Sequence, residues 1–275
     1  MVAGPVSAGD EWGGKVSNET WWRHPVGRLF SPRRTLLRIA ADLLLSRQCQ
    51  GCGETLHEGD PGILCWECRA RLPLMSGTVC ECCGDYATGV IEGAYLCPTC
   101  RAHPPGFDWA RSAVHYQGVV QPIVRSLKYR QHLDCLEELT LWMLTLWTDS
   151  SRPPVEAEPD LVLGVPMSYL RLRARTYNQA DGIAQEIARA LHIRYRTRVL
   201  ARTRATASQT TMNAKQRREN VREAFAVVRP RCVRGKSVLL VDDVMTTGAT
   251  LSECARVLKG AGAAHVYCLS AARGG

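Results

Sequence analysis

Eight cysteines stand in four C-x-x-C pairs, Cys49/Cys52, Cys65/Cys68, Cys80/Cys83 and Cys97/Cys100, inside 52 residues. Two thiolates on one tight turn face a single ion, and two such turns complete the tetrahedron that Zn²⁺ prefers. Eight ligands suffice for two structural sites, and Gly51, Gly53 and Gly84 supply permissive backbone for the turns. Sequential pairing (first with second, third with fourth) and interleaved pairing both fit the spacing. Cys82 is the spare in "CECC" and is an alternative to Cys80. Redox chemistry is disfavoured because four copies occur without a thioredoxin-like surround. Catalytic zinc is disfavoured because four thiolates leave no open position. Cys135, Cys232, Cys254 and Cys268 stand singly and read as small core or surface residues.

A second stretch, "VLLVDDVMTTGAT" (238–250), combines opposites. Thr246, Thr247, Gly248, Ala249 and Thr250 form a hydroxyl-rich turn into a helix, whose backbone N–H groups and dipole suit a phosphate. Asp242 and Asp243, just before it, repel anions but accept hydrogen bonds from vicinal hydroxyls, directly or in a field that includes Mg²⁺. A ribose 5-phosphate group satisfies both halves. No Gly-Lys-Ser/Thr and no G-x-G-x-x-G occurs, which excludes a Walker loop and a dinucleotide fingerprint.

These groups need a scaffold. The stretch reads as a buried strand (237–243) followed by a helix (250–260), which places the acids beyond the carboxyl end of a sheet strand. Further strands are expected at 112–116, 161–166, 194–200 and 265–272, with helices at 119–129, 133–147, 179–191 and a polar one ending near 220. Wholly apolar strands alternating with helices argue for an α/β fold, a parallel sheet flanked by helices. Upstream, Ser31 and Pro32 cap an expected amphipathic helix to about residue 46. The expected organisation is an extension of poor order (1–30), a helix and double zinc-knuckle domain (31–105), and the α/β domain (106–275). The cysteine segment is too poor in apolar residues to fold without metal.

The formal net charge is +9, and residues 171–222 carry thirteen Lys/Arg against three Asp/Glu. Such clustering implies an anionic partner, phosphorylated small molecules or nucleic acid. No apolar run approaches the ~20 residues of a membrane span. The first 30 residues lack an export signal, so a cytoplasmic, reducing setting is expected, in which the cysteines form no disulfide framework.

The 238–250 stretch resembles the phosphoribosyl-pyrophosphate (PRPP) motif of type I phosphoribosyltransferases. "RARTYNQA" (173–180), "TASQTTMNAKQRRENVREAF" (206–225), "PPGFDWARSAVHY" (104–116) and "LKYRQHLD" (127–134), behind four knuckles, resemble ComF/GntX-type proteins of that group. Thr176 stands where the family usually has Gly, and Ser168-Tyr169 where it often has His-Pro. The resemblance implies a type I phosphoribosyltransferase-like sheet and displacement of pyrophosphate from C1 of PRPP by a nucleobase-like acceptor. Mg²⁺ would accompany PRPP, and structural Zn²⁺, one or two ions, would fill the knuckles. It also implies roles: Asp242 and Asp243 for the ribose hydroxyls and catalysis, Thr246, Thr247, Gly248, Ala249 and Thr250 for the 5-phosphate. The turn at 165–168 with Arg171 and Arg175 would take pyrophosphate, and Arg217 and Arg218 would close over it. Two other roles stand beside the pentosyltransferase: handling of single-stranded DNA with DNA-uptake proteins, as in competence, and a PRPP sensor without turnover.

Overall fold

The computed structural model describes residues 47–87, 89, 91, 93–127, 133–149, 155–169, 172–173, 177–204 and 213–274. The extension at 1–30, the expected helix ending at 46, and Arg171, Arg175 and Thr176 lie outside the described residues.

Each cysteine module begins with a knuckle and ends in a one-turn helix, α1 (Trp66–Ala70) or α2 (Pro98–Ala102). The main sheet then assembles from β1 (Trp109–His115), β2 (Leu161–Gly164), β3 (Arg194–Tyr195), β6 (Ser237–Met245) and β7 (His265–Arg273). Its order is β1-β7-β6-β2-β3, every pairing parallel. Between strands run α3 (Val120–Leu127), α4 (Leu133–Thr148), α5 (Gln179–Ala190), α6 (Ala214–Val221) and α7 (Ala249–Gly260). A small antiparallel ribbon, β4 (Leu200–Arg202) with β5 (Phe225–Val227), stands apart from the sheet. Among the described residues no helix is long and apolar enough to cross a membrane.

The alternation of strand side chains builds two apolar layers. Leu239 and Val241 of β6 join Val162, Tyr267 and Leu269 in a layer completed by α3, α4 and α5. Val238 and Leu240 face the other way, with Leu161, Leu163, Val266 and Cys268, under α7 and the β4–β5 ribbon. Full burial of such side chains contributes about 1.5–3 kcal/mol each, which holds β6 rigid beneath the acids at its end.

The strand expected at 194–200 divides. Arg198 takes φ 54°, outside the β region, so the chain leaves the sheet edge after Tyr195 and starts the ribbon at Leu200. The ribbon's second strand, β5, had no expectation attached to it. The polar helix forms as α6, started by a reciprocal cap: Asn213 Oδ1 accepts from the Gln216 N–H, and Gln216 Oε1 from the Asn213 N–H, both at 2.9 Å.

Candidate functional site: two thiolate clusters and an acid-flanked anion loop

The knuckles pair sequentially. Cys49, Cys52, Cys65 and Cys68 form one cluster and Cys80, Cys83, Cys97 and Cys100 the other, their sulfurs all within 4.8 Å of one another in each. Zinc–sulfur bonds of about 2.3 Å in a tetrahedron set sulfurs about 3.8 Å apart. Cys52 and Cys65 lie 3.9 Å apart, and Cys83 and Cys97 3.7 Å. The two modules repeat one another in detail. Gly53 N–H donates to the Cys49 carbonyl and Gly84 N–H to that of Cys80, both at 2.8 Å. Cys65 and Cys97 are the N-caps of α1 and α2. Gly84 is required twice over: φ is 67°, and a Cβ would sit 2.7 Å from the Ala110 carbonyl of β1.

N–H groups are aimed at the sulfurs, as thiolates need. Cys65 N–H donates to Cys49 Sγ at 3.3 Å and Cys97 N–H to Cys80 Sγ at 3.3 Å. Burial raises the Cys49 thiol, but the N–H donors of Cys65, Cys52 and Gly51 outweigh it and bring it down to about 7. Burial pushes Cys83 up to about 12, against the pull of the Arg273 guanidinium. The donor set fits structural Zn²⁺, with no open coordination position. Cys82 stays outside the tetrad, its carbonyl taken by the Ala110 N–H at 2.7 Å.

β6 runs four residues further than its apolar run, to Met245, so Asp242 and Asp243 are still in the strand and still laddered to β7 through the Asp242–Ser270 register. Asp243 N–H donates to Asp242 Oδ1 at 3.0 Å, and Val244 N–H to Asp243 Oδ1 at 2.8 Å. Asp242 keeps some accessible surface but is densely surrounded. That burial, then the Asp243 charge, lifts its carboxyl well above the ordinary range; Arg202 of β4 opposes the rise. Arg202 is itself held over the Phe225 ring at 5.3 Å.

After Met245 the chain bends through Thr246 and Thr247 to Gly248, at φ 73°, and enters α7. A Cβ on Gly248 would lie 2.7 Å from Met245 Cε. Among the described residues the N–H groups of Thr246, Thr247 and Gly248 donate to nothing. Three unused donors at the start of a 12-residue helix form an anion cradle directly after two carboxylates. Thr250 lies within the first turn of α7.

Across from β6, the turn after β2 is fixed from α5. Asn178 Nδ2 donates to the Val165 carbonyl and to Asp181 Oδ2, both at 2.9 Å. A Cβ on Gly164 would lie 2.7 Å from the Asp181 N, so only glycine lets strand and helix approach this closely. Arg217 and Arg218 ride on α6, and both line a cleft of about 640 Å³ that also exposes Thr246, Thr247, Gly248 and Ala249. Asp242 and Asp243 are not among its walls. The structure thus joins the loop and the α6 arginines in one cleft, while the acids adjoin the loop only through the end of β6.

Several positioning residues had no sequence signal. Arg273 Nη1 donates to the Cys83 carbonyl at 2.6 Å, and its Nη2 lies 3.1 Å from Asp85 Oδ1. Gly274 N–H donates to the Met245 carbonyl at 2.9 Å. The second cluster, the end of β7 and the root of the anion loop are therefore one connected unit. Glu253 of α7 accepts the Glu223 N–H at 2.7 Å and binds Arg256, which ties the α6–β5 turn to the loop's helix. Asn178 lay within a quoted motif; Arg273 is separated from its partner by 190 residues and nothing local marks it.

Residues 157–275 match the model of the phosphoribosyl transferase domain, and residues 40–101 that of the double zinc ribbon domain. The chain is 32% identical over 225 residues to the DNA utilization protein YhgH of Escherichia coli O6:H1, covering 76% of this chain and 96% of that one. It is 28% identical to competence protein F of Haemophilus influenzae, over 82% of this chain and 96% of the relative. A solved allosteric regulatory enzyme of purine biosynthesis aligns at 29% identity and TM-score 0.28, over 42% of this chain and 22% of that one. With two ribbons, a parallel sheet and near full-length likeness to these relatives, the chain belongs to the ComF/GntX-type family of phosphoribosyltransferase-domain proteins.

Proposed function

We propose that this protein binds PRPP and transfers its phosphoribosyl group to a nucleobase-like acceptor, releasing pyrophosphate. One observation carries the reading: two carboxylates at the end of β6 stand immediately before three backbone N–H groups that have no acceptor among the described residues. Asp242 and Asp243 accept from the ribose hydroxyls. Thr246, Thr247, Gly248, Ala249 and Thr250 hold the 5-phosphate. The turn at 165–168, braced by Asn178, faces pyrophosphate together with Arg171 and Arg175, while Arg217 and Arg218 stand on the cleft side of the 5-phosphate loop. Oxocarbenium-like charge at C1 develops beside the acids, and departing pyrophosphate is met by arginine. Catalysis is then positioning and electrostatics rather than covalent chemistry. Mg²⁺, a hard cation, would be held near Asp242 and Asp243 and would supply charge neutralisation. Within the proposed division at 105/106, two Zn²⁺ ions hold the ribbons.

Calorimetric titration of PRPP with Mg²⁺ into wild type and Asp242→Asn/Asp243→Asn tests this. Wild type binds, and the double variant loses most of that affinity; equal binding by both removes the assignment. Pyrophosphate release with a nucleobase present separates the transferase from a PRPP sensor.

A second reading, handling of single-stranded DNA, is favoured by α6, which carries Lys215, Arg217 and Arg218 against Glu219. The names of the YhgH and competence F relatives point the same way. Affinity for single strands that falls steeply with salt is its signature.

A further inference from the structure

Asp242 and Asp243 precede the anion loop at the end of β6. Thr246, Thr247, Gly248 and Ala249 of the loop form part of the wall of the 640 Å³ cleft, from which both acids are absent. Roughly 300–1,000 Å³ is the size of pockets that enclose whole small ligands, so the cleft exceeds what a phosphate group needs. A pentose set over the acids with its 5-phosphate on the loop turns the far side of that phosphate toward the cleft.

The walls differ from those of a simple anion hole. The connector from the second ribbon contributes His103, an aromatic ring of the kind on which bases stack, and the apolar Pro104 and Pro105. From α6 and its end come Arg218 and Arg222. The cleft's acids are largely committed: Asp85 to Arg273 at 3.1 Å, Glu253 to Arg256 at 2.7 Å, and Glu223 lies 3.7 Å from Arg222. A phosphodiester keeps two non-bridging oxygens for the loop N–H groups while its esterified oxygen leads onward.

We propose that the site accepts a pentose whose 5-phosphate is esterified: the 3′-terminal nucleotide of a single strand lies over the acids and the loop, and the preceding nucleotide fills the cleft. The proposal rests on the pentose-phosphate reading above. Because the acids engage a vicinal diol, a ribonucleotide terminus is held more tightly than a deoxyribonucleotide one.

The test is calorimetry on the full chain with ribose 5-phosphate, AMP, the dinucleotide adenylyl-(3′→5′)-adenosine and its deoxy counterpart. The dinucleotide is expected to bind at least tenfold tighter than AMP, and the deoxy form several-fold weaker than the ribo form. Thr99→Trp, which plugs the cleft from the exposed ribbon side, and Arg222→Ala are expected to remove the dinucleotide's advantage while ribose 5-phosphate affinity stays within twofold. Ribose 5-phosphate and AMP binding with no dinucleotide advantage, or an advantage that survives both variants, overturns this proposal alone. Equal ribo and deoxy affinity overturns the placement of the terminal sugar. No ribose 5-phosphate binding at all overturns the underlying reading and this one with it.

Discussion

The two thiolate clusters are near copies in backbone and opposites in surroundings. In the first, Cys49 and Cys68 are buried but Cys52 is exposed; in the second, all four ligands are buried. The first faces the helical layer. Arg69 of its helix pairs with Glu138 of α4 at 2.9 Å, both side chains at most 5% exposed, and Trp142 Nε1 donates to the same carboxylate at 2.9 Å. The second faces the site: Arg273 joins its Cys83 to the strand end beside Met245, and Cys83 and Cys100 help wall the cleft. One duplicated module has thus been put to two purposes, anchoring on one face of the sheet and site-building on the other.

The difference is breakable. The largest effect is expected from Cys83→Ser against Cys52→Ser. Each should lose about one zinc by elemental analysis. Cys83→Ser should also lower PRPP affinity more than about tenfold, whereas Cys52→Ser should leave it within about twofold and chiefly lower Tm, because metal binding is coupled to local folding. Equal loss of PRPP binding in both would erase the distinction. Next comes Glu138→Ala, which leaves the buried Arg69 without its carboxylate. It should cost about 3–5 kcal/mol in denaturant unfolding with PRPP affinity unchanged in the folded protein; a cost under about 1 kcal/mol would show that the pair is not what secures the first module.

Arg273→Met, similar in bulk but uncharged, should weaken PRPP several-fold through the loop it helps to seat, and should loosen zinc in the second cluster only, read by chelator competition. The smallest effect sharpens the site itself. Burial raises the Asp242 carboxyl, so its charged form costs stability at neutral pH. Asp242→Asn should therefore raise Tm by a few degrees near pH 7 while weakening PRPP. That gain should shrink as pH falls through the raised folded-state pKa toward the ordinary value of 3.8, because wild type becomes neutral too. A gain that is constant with pH would mean that the charge is not its source.

How much of this was legible in sequence follows from the range of the interactions. The ladder-forming strands 161–164 and 237–245 announce themselves by apolar runs, in the second at 238–241, and the thiolate spacing by its own regularity. The acid–loop pair is contiguous in the chain, so residue type alone carries it. Pairing of the knuckles was open because four identical spacings contain no information about distance; the fold resolves it by placing Cys97 N–H on Cys80 Sγ. The run at 194–200 looked like one strand because its break is a backbone angle at an ordinary arginine, Arg198. Arg273 and Glu253 were silent because each acts on a carbonyl, an amide or a side chain that only tertiary packing brings near; Asn178 lay in a quoted motif, but its hold on the Val165 carbonyl shows only in the fold.

The sheet order carries a consequence for synthesis. Of the described strands β7 is the latest in the chain, yet it lies between β1 and β6, and Ser112 of β1 reaches Ser270 across 158 residues. A nascent chain on the ribosome thus holds both ribbons ready for metal long before the strand that joins them to the anion loop has emerged. A fusion or truncation that disturbs β7 is therefore expected to cost the second cluster its Arg273 contacts and the anion loop its seat together, and to spare the first cluster.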